Sequence, residues 1–233
     1  MTSSISPLNA QLHKELKIQE KHHYPHTKGQ HILPVLVHEF AEASAEMPVV
    51  FVKNTETGQF QPVVILGFQS GENVFCSDEQ WLINYVPAIA THYPFALVAS
   101  EDNPQQFQLG IKDVEVLAKN TEGELLFDQN GAETAYLEKR KNTLGQYYEN
   151  SLITEGFVKL LADKDLLEEQ TLSLTLKGDK IDMNGIYLVN QEKLQSLPAE
   201  DFLLLRSKNY LLPIYSHINS LRQIQKLVAL KQK

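Results

Sequence analysis

The chain has 233 residues, 42% of them hydrophobic and 21% charged, and a net charge of −8 at neutral pH. A chain of this length removes roughly 70% of its unfolded surface on folding and so supports a substantial core. Its acidic balance excludes a nucleic-acid binder, which needs a basic face to displace counterions from phosphates, and argues equally against electrostatic docking on an anionic membrane.

Residues 1–30 read as a polar N-terminal arm rich in His, Lys and Gln. No apolar stretch there resembles the core of a secretory signal peptide. No run anywhere in the chain approaches the ~20 apolar residues that span a bilayer. The expected location is the cytoplasm, with any role at an envelope played from that side or through a partner. Leu8, Leu12 and Leu16 share one side of a short helix. Histidines 22, 23, 26 and 31 could be read as a metal site, but their irregular spacing, the absence of an accompanying cysteine and the intervening Pro25 favour a solvated loop.

The stretch from residue 31 to residue 95 is the organising part of the sequence. Ile32, Leu33, Val35, Leu36 and Val37 form an apolar run of strand length. HEFAEASAEM predicts a helix that Pro48 ends. His38-Glu39 does not open a zinc-protease H-E-x-x-H pattern, because Glu42 stands where the second histidine belongs. PVVFV and PVVILGF predict two buried strands joined as an antiparallel hairpin across NTETGQFQ. NVFCS predicts a third strand, with Cys76 a small packed hydrophobe. A single cysteine forms no internal disulfide, in keeping with a reducing compartment. A short helix or turn around Trp81, a proline-punctuated connector and a strand at PFALVAS follow.

The second half is more regular. QFQLGI predicts a strand, LAKNTEGELLFDQNGAET a loop-rich link, and two helices are expected, from Thr134 to about Asn150 and from Thr154 to Leu167, with Thr154 as N-cap. TLSLTLK alternates as an amphipathic strand with Leu172, Leu174 and Leu176 on one face. GDKIDMNG predicts a turn, lacking the carboxylate spacing of a calcium loop, and IYLVN another strand. Helix, strand and helix close the chain. Leu221, Ile224, Leu227 and Val228 stripe the last helix, and Lys231 and Lys233 lie at the negative end of its dipole. The expected fold is α+β: a twisted, mainly antiparallel sheet with helices packed on one face. Beyond the arm, residues 31–233 read as a single domain with a weak internal boundary near residue 130.

Several short elements together resemble the SapC family of bacterial proteins: Pro7-Leu8-Asn9 with His13, Gly71-Glu72-Asn73 with Phe75, Tyr85-Val86-Pro87-Ala88 with Tyr93-Pro94-Phe95, LLFDQNG, and YLLPIYSHINSL. The paired arginines common before the family's Tyr-Pro-Phe are Thr91 and His92 here, and a neutral imidazole does not replace a guanidinium fork in binding an anion. The resemblance implies an association with surface-layer production, with TonB-dependent receptors and with halogenase-like or oxygenase-like neighbours, and implies no particular reaction. It is not to the peptide-transport permease of the same letters, which is a membrane protein.

No phosphate-binding loop, dinucleotide fingerprint or nucleophile elbow occurs, and no cofactor is expected. The candidate ligand- or partner-binding residues are Glu39, Glu72, Asn73, Tyr85, His92 and Tyr93, polar groups bordering the buried strands, where loops on a rigid sheet present function. Each has a structural reading as well: turn residues satisfying backbone groups, tyrosines packed with a wet hydroxyl. Two functions follow. One is a non-catalytic adaptor recognising a polypeptide or a modifying enzyme. The other is a metal-dependent enzyme or oxygenase accessory, with His38, Glu72 and His92 converging as a two-histidine, one-carboxylate site, and His31 and Glu39 nearby in sequence.

Overall fold

The structure is a computed structural model that describes residues 5–78, 80–99, 107–176 and 178–232. Residues 1–4 of the expected arm and Lys233 lie outside the described residues. The strands are β1 (Ile5–Pro7), β2 (Lys17–Ile18), β3 (Ile32–Pro34), β4 (Val49–Lys53), β5 (Phe60–Ile65), β6 (Phe95–Ala99), β7 (Phe107–Lys112), β8 (Glu124–Leu125), β9 (Leu167–Leu176) and β10 (Asp179–Val189). The helices are α1 (Ala10–His13), α2 (Phe40–Ala43), α3 (Ala88–Thr91), α4 (Val114–Leu117), α5 (Ala135–Asp163), α6 (Gln191–Gln195), α7 (Ala199–Ser207), α8 (Leu211–Ser220) and α9 (Ile224–Lys231). Every strand pairing is antiparallel, and the fold is α+β. No helix among the described residues is long and apolar enough to cross a membrane.

The chain forms two compact units, one from residues 1–22 with 91–149, the other from residues 23–90 with 150–233. In the first unit the sheet runs β1-β7-β6, and β2 pairs with β8. Ile5–Pro7, read from the sequence as part of a polar arm, is an edge strand of that sheet. Its core gathers Leu16, Ile18, Phe95, Ile111, Leu126 and Leu137.

The second unit is built on a five-stranded sheet of order β3-β5-β4-β10-β9. The hairpin expected between PVVFV and PVVILGF is present, with Val50 opposite Val63. Asn54 closes its turn by accepting the backbone N–H groups of Glu56 and Thr57. Phe40, Phe51 and Phe157 are fully buried and meet edge-on or tilted at 5.8 to 6.4 Å between ring centres. Each such ring contributes ~1.5–3 kcal/mol by burial alone.

Several elements differ from the sequence expectation. The run at Ile32 leaves the sheet at Pro34, and Val37–Glu39 forms a single 3-10 turn before the one-turn α2. NVFCS makes only an isolated bridge, Cys76 to Trp81. One helix, α5, replaces the two expected: no proline breaks the Asn150-Ser151-Leu152-Ile153 stretch, and the Thr154 hydroxyl donates back to the Asn150 carbonyl at 2.9 Å instead of capping a new start. β10 extends through the expected GDKIDMNG turn. It absorbs Asn184-Gly185 as a bulge, where Gly185 takes φ +71°, a conformation open to glycine. Side-chain bonds from Ser173 to Asp182 and from Thr171 to Asn184 hold the two strands together there. The closing strand expected between helices is absent among the described residues, since Phe202–Leu205 and Leu211–Ile214 lie in α7 and α8.

Candidate functional site

In the second unit, Glu39 ends the 3-10 turn and is half-buried. Its Oε1 accepts the Tyr85 hydroxyl at 2.7 Å and the Ala88 N–H at 2.8 Å, and its Oε2 accepts the Leu36 N–H at 2.8 Å. One carboxylate therefore ties the Tyr85-Val86-Pro87-Ala88 connector to the turn that precedes α2. The Trp81 indole N–H reaches the Tyr85 carbonyl at 2.9 Å and extends the same brace. Hydrogen bonds to a charged acceptor are the stronger kind, about 1.5–3 kcal/mol each. Glu39→Gln turns one acceptor oxygen into a donor that faces a donor. We expect it to lower unfolding free energy by about 2 kcal/mol and to red-shift the emission of Trp81, the sole tryptophan. Urea unfolding followed by fluorescence reads both.

Glu72 and Asn73 occupy a separate turn of the same unit. Glu72 accepts the Phe68 N–H at 2.9 Å and forms an ion pair with Lys231. Asn73 is buried, accepts the Phe75 N–H at 2.9 Å and donates to the carbonyl and hydroxyl of Thr27. Cys76 is buried, donates to the His23 carbonyl, and has its thiol pKa raised by that burial, so it stays protonated and unreactive. His38 is exposed. Among the described residues no three His, Cys, Asp or Glu side chains gather as metal ligands. The structure thus joins Glu39 to Tyr85 and gives Glu72 and Asn73 backbone partners of their own.

The sequence reading passed over His217 and Ser220 as chemistry. His217 is fully buried, with Nε2 accepting the Val189 N–H at 3.1 Å and Nδ1 2.7 Å from the Val49 carbonyl. The acceptor role of Nε2 assigns the proton to Nδ1, so the ring is neutral and bridges β4 and β10. Burial pushes its pKa down to about 4, against a smaller upward pull from the Val49 carbonyl. Ser220 donates to the His217 carbonyl, not to its ring, and accepts the Val49 N–H. The pair completes the sheet and does not constitute a nucleophile with its base.

In the first unit, His92 is 3% exposed and its Nε2 has no hydrogen-bond partner among the described residues. Its ring meets Tyr147 edge-on at 4.9 Å. Desolvation, and then the nearby Arg140 charge, lower its pKa to about 4. Tyr93 donates to Asp113 at 2.8 Å, and its phenol pKa is raised, first by burial and then by that carboxylate. The arginines that the resemblance leads one to expect before Tyr93 are absent, but Arg140 on α5 brings a guanidinium to the Thr91 carbonyl and lies 5.6 Å from the Phe95 ring centre.

Arg140 also borders an open cleft of about 420 Å³, with Glu20, Gly123, Glu124, Tyr136 and Lys139 on its walls. Glu20 accepts the Tyr136 hydroxyl at 3.2 Å and stands 3.6 Å from the Arg140 guanidinium. Gly123, at φ +126°, allows the β8 backbone to approach β2; a Cβ there would lie 2.5 Å from the Ile18 carbonyl oxygen. Of these cleft residues the sequence marks only Gly123, as a turn signal in the loop-rich link; the charged ones carry no motif.

The fold and these sites define an α+β protein of two compact units, in which Glu39, Glu72 and Asn73, half of the sequence-selected polar groups, brace the protein's own backbone. A family model described as SapC matches residues 8–227, and the chain belongs to the SapC family. Comparisons with curated proteins and with solved structures found no match.

Proposed function

We propose that this chain is a non-catalytic adaptor of the cytoplasm that binds a polypeptide, either a modifying enzyme or a component of a surface-layer or TonB-dependent receptor system. The observation that supports this reading is the edge of the five-stranded sheet. β9 ends the strand order and, among the described residues, is paired on one side only, with β10. At the opposite edge β3 has three residues and ends in Pro34, the usual protection of a sheet edge. β9 has ten residues, and from Gln170 to Leu176 none is charged. Past Glu168 and Glu169, the seven uncharged residues of this edge offer backbone donors and acceptors to an extended peptide by strand addition, while alternate side chains supply selectivity.

The test is capture from the protein's own cells by tagged wild type and by a Ser173→Lys/Thr175→Glu double variant. Those positions lie opposite Asp182 and Lys180 on β10, so each new charge meets its opposite and the hairpin is retained. A polypeptide enriched by wild type, lost with the variant and slowing amide exchange in β9 supports the adaptor. A partner held equally by the variant overturns the edge as its site. Stoichiometric iron or zinc with no partner, lost on His38→Ala or His92→Ala, overturns the adaptor in favour of the metal-dependent alternative.

A further inference from the structure

We propose that the cleft of the first unit binds a small zwitterion of the α-amino acid class, its carboxylate at Lys139 and its ammonium at Glu124. The cleft is separate from the β9 edge and has its own chemistry. Four charged side chains border it, Glu20 and Glu124 against Lys139 and Arg140. Arg140 and Glu20 face each other across 3.6 Å, and Arg140 also holds the Thr91 carbonyl, while Glu20 also takes the Tyr136 hydroxyl. Those two are occupied within the protein. Lys139 and Glu124 are exposed, and the ion pairs among the described residues include neither of them.

The walls therefore present one cation and one carboxylate that are outside the ion pairs of the described residues, around a lining whose formal charges cancel. A simple anion that reaches Lys139 also meets two carboxylates, and a simple cation that reaches Glu124 also meets Lys139 and Arg140. A molecule carrying both charges satisfies each wall and brings no net charge into the cleft. The volume of about 420 Å³ lies toward the small end of ligand clefts, which suits an amino acid better than a nucleotide or a folded segment.

The test is calorimetric titration of the full chain with the proteinogenic amino acids, one at a time, and with acetate and methylammonium as half-ligands. We expect at least one amino acid to saturate a single site, with affinity falling about tenfold or more for Lys139→Ala and for Glu124→Gln, and neither half-ligand to bind measurably. Both side chains are exposed, so both variants are expected to fold, with thermal unfolding unchanged as the control. Absence of any saturating amino acid, an isotherm that survives both substitutions, or acetate binding as tightly as the amino acid overturns the proposal.

Discussion

His217→Ala is expected to lower the unfolding free energy of the second unit by roughly 3–5 kcal/mol, a large share of the margin of an ordinary domain. Two terms add. The imidazole is fully buried against the Phe51 ring, 5.0 Å between centres, so truncation leaves a cavity in the aromatic core. It also leaves the Val49 carbonyl without its bond from Nδ1, and the Val189 N–H without its acceptor. Those groups belong to adjacent strands, β4 and β10, whose direct pairing is confined to Ile186 with Val52 and Tyr187 with Phe51. The histidine continues the sheet where the backbone ladder stops. Asn at this position restores one donor and one acceptor on a shorter side chain and recovers part of the loss. Urea denaturation of the three proteins orders them wild type, His217→Asn, His217→Ala. An alanine variant as stable as wild type would remove the bridging role.

That role shows where sequence reading stops. YLLPIYSHINSL was legible as a characteristic ending, but its histidine bonds to Val49, 168 positions earlier, and to Val189, 28 positions earlier. Local pattern carries no trace of either. The β4–β5 hairpin was legible because β-branched runs flank a polar turn, and β9 because its leucines alternate. β10 was half legible: Asp179–Asn184 has the composition of a turn, and only pairing with β9 recruits it into a strand. Thr154 resembled an N-cap because caps are read from residue type, whereas its Oγ1 accepts the buried Val37 N–H at 3.0 Å from 117 positions away. Among the candidate residues, Glu39 and Tyr85 were chosen as neighbours of buried strands, and the structure joins them; their partnership spans 46 positions. The cleft was invisible, since its lining comes from β2, β8 and α5 and the residues just after β2, which are far apart in sequence.

Acidification from neutral pH towards 4 should destabilise the protein through two buried histidines. His92 and His217 both have folded pKa values near 4, well below the 6.5 of an exposed imidazole. The unfolded chain therefore binds protons that the folded chain refuses. The contribution of these two histidines is complete above pH ~6.5 and falls as the pH drops towards 4, below which both states are protonated and the curve flattens. Each shift is worth roughly 3 kcal/mol across that window, one in each unit. The pKa of His13, buried in the first unit, is lowered by desolvation and adds in the same direction. Unfolding free energy measured by urea at intervals from pH 7.5 to about 4.5 should rise with pH, at a slope approaching the uptake of about two protons on unfolding. His92→Gln removes its share of that slope while leaving the share of His217 in place, because the two residues belong to different units. A stability curve that stays flat across the window would mean that both rings are reached by water, and would withdraw the buried neutral imidazole from each unit at once.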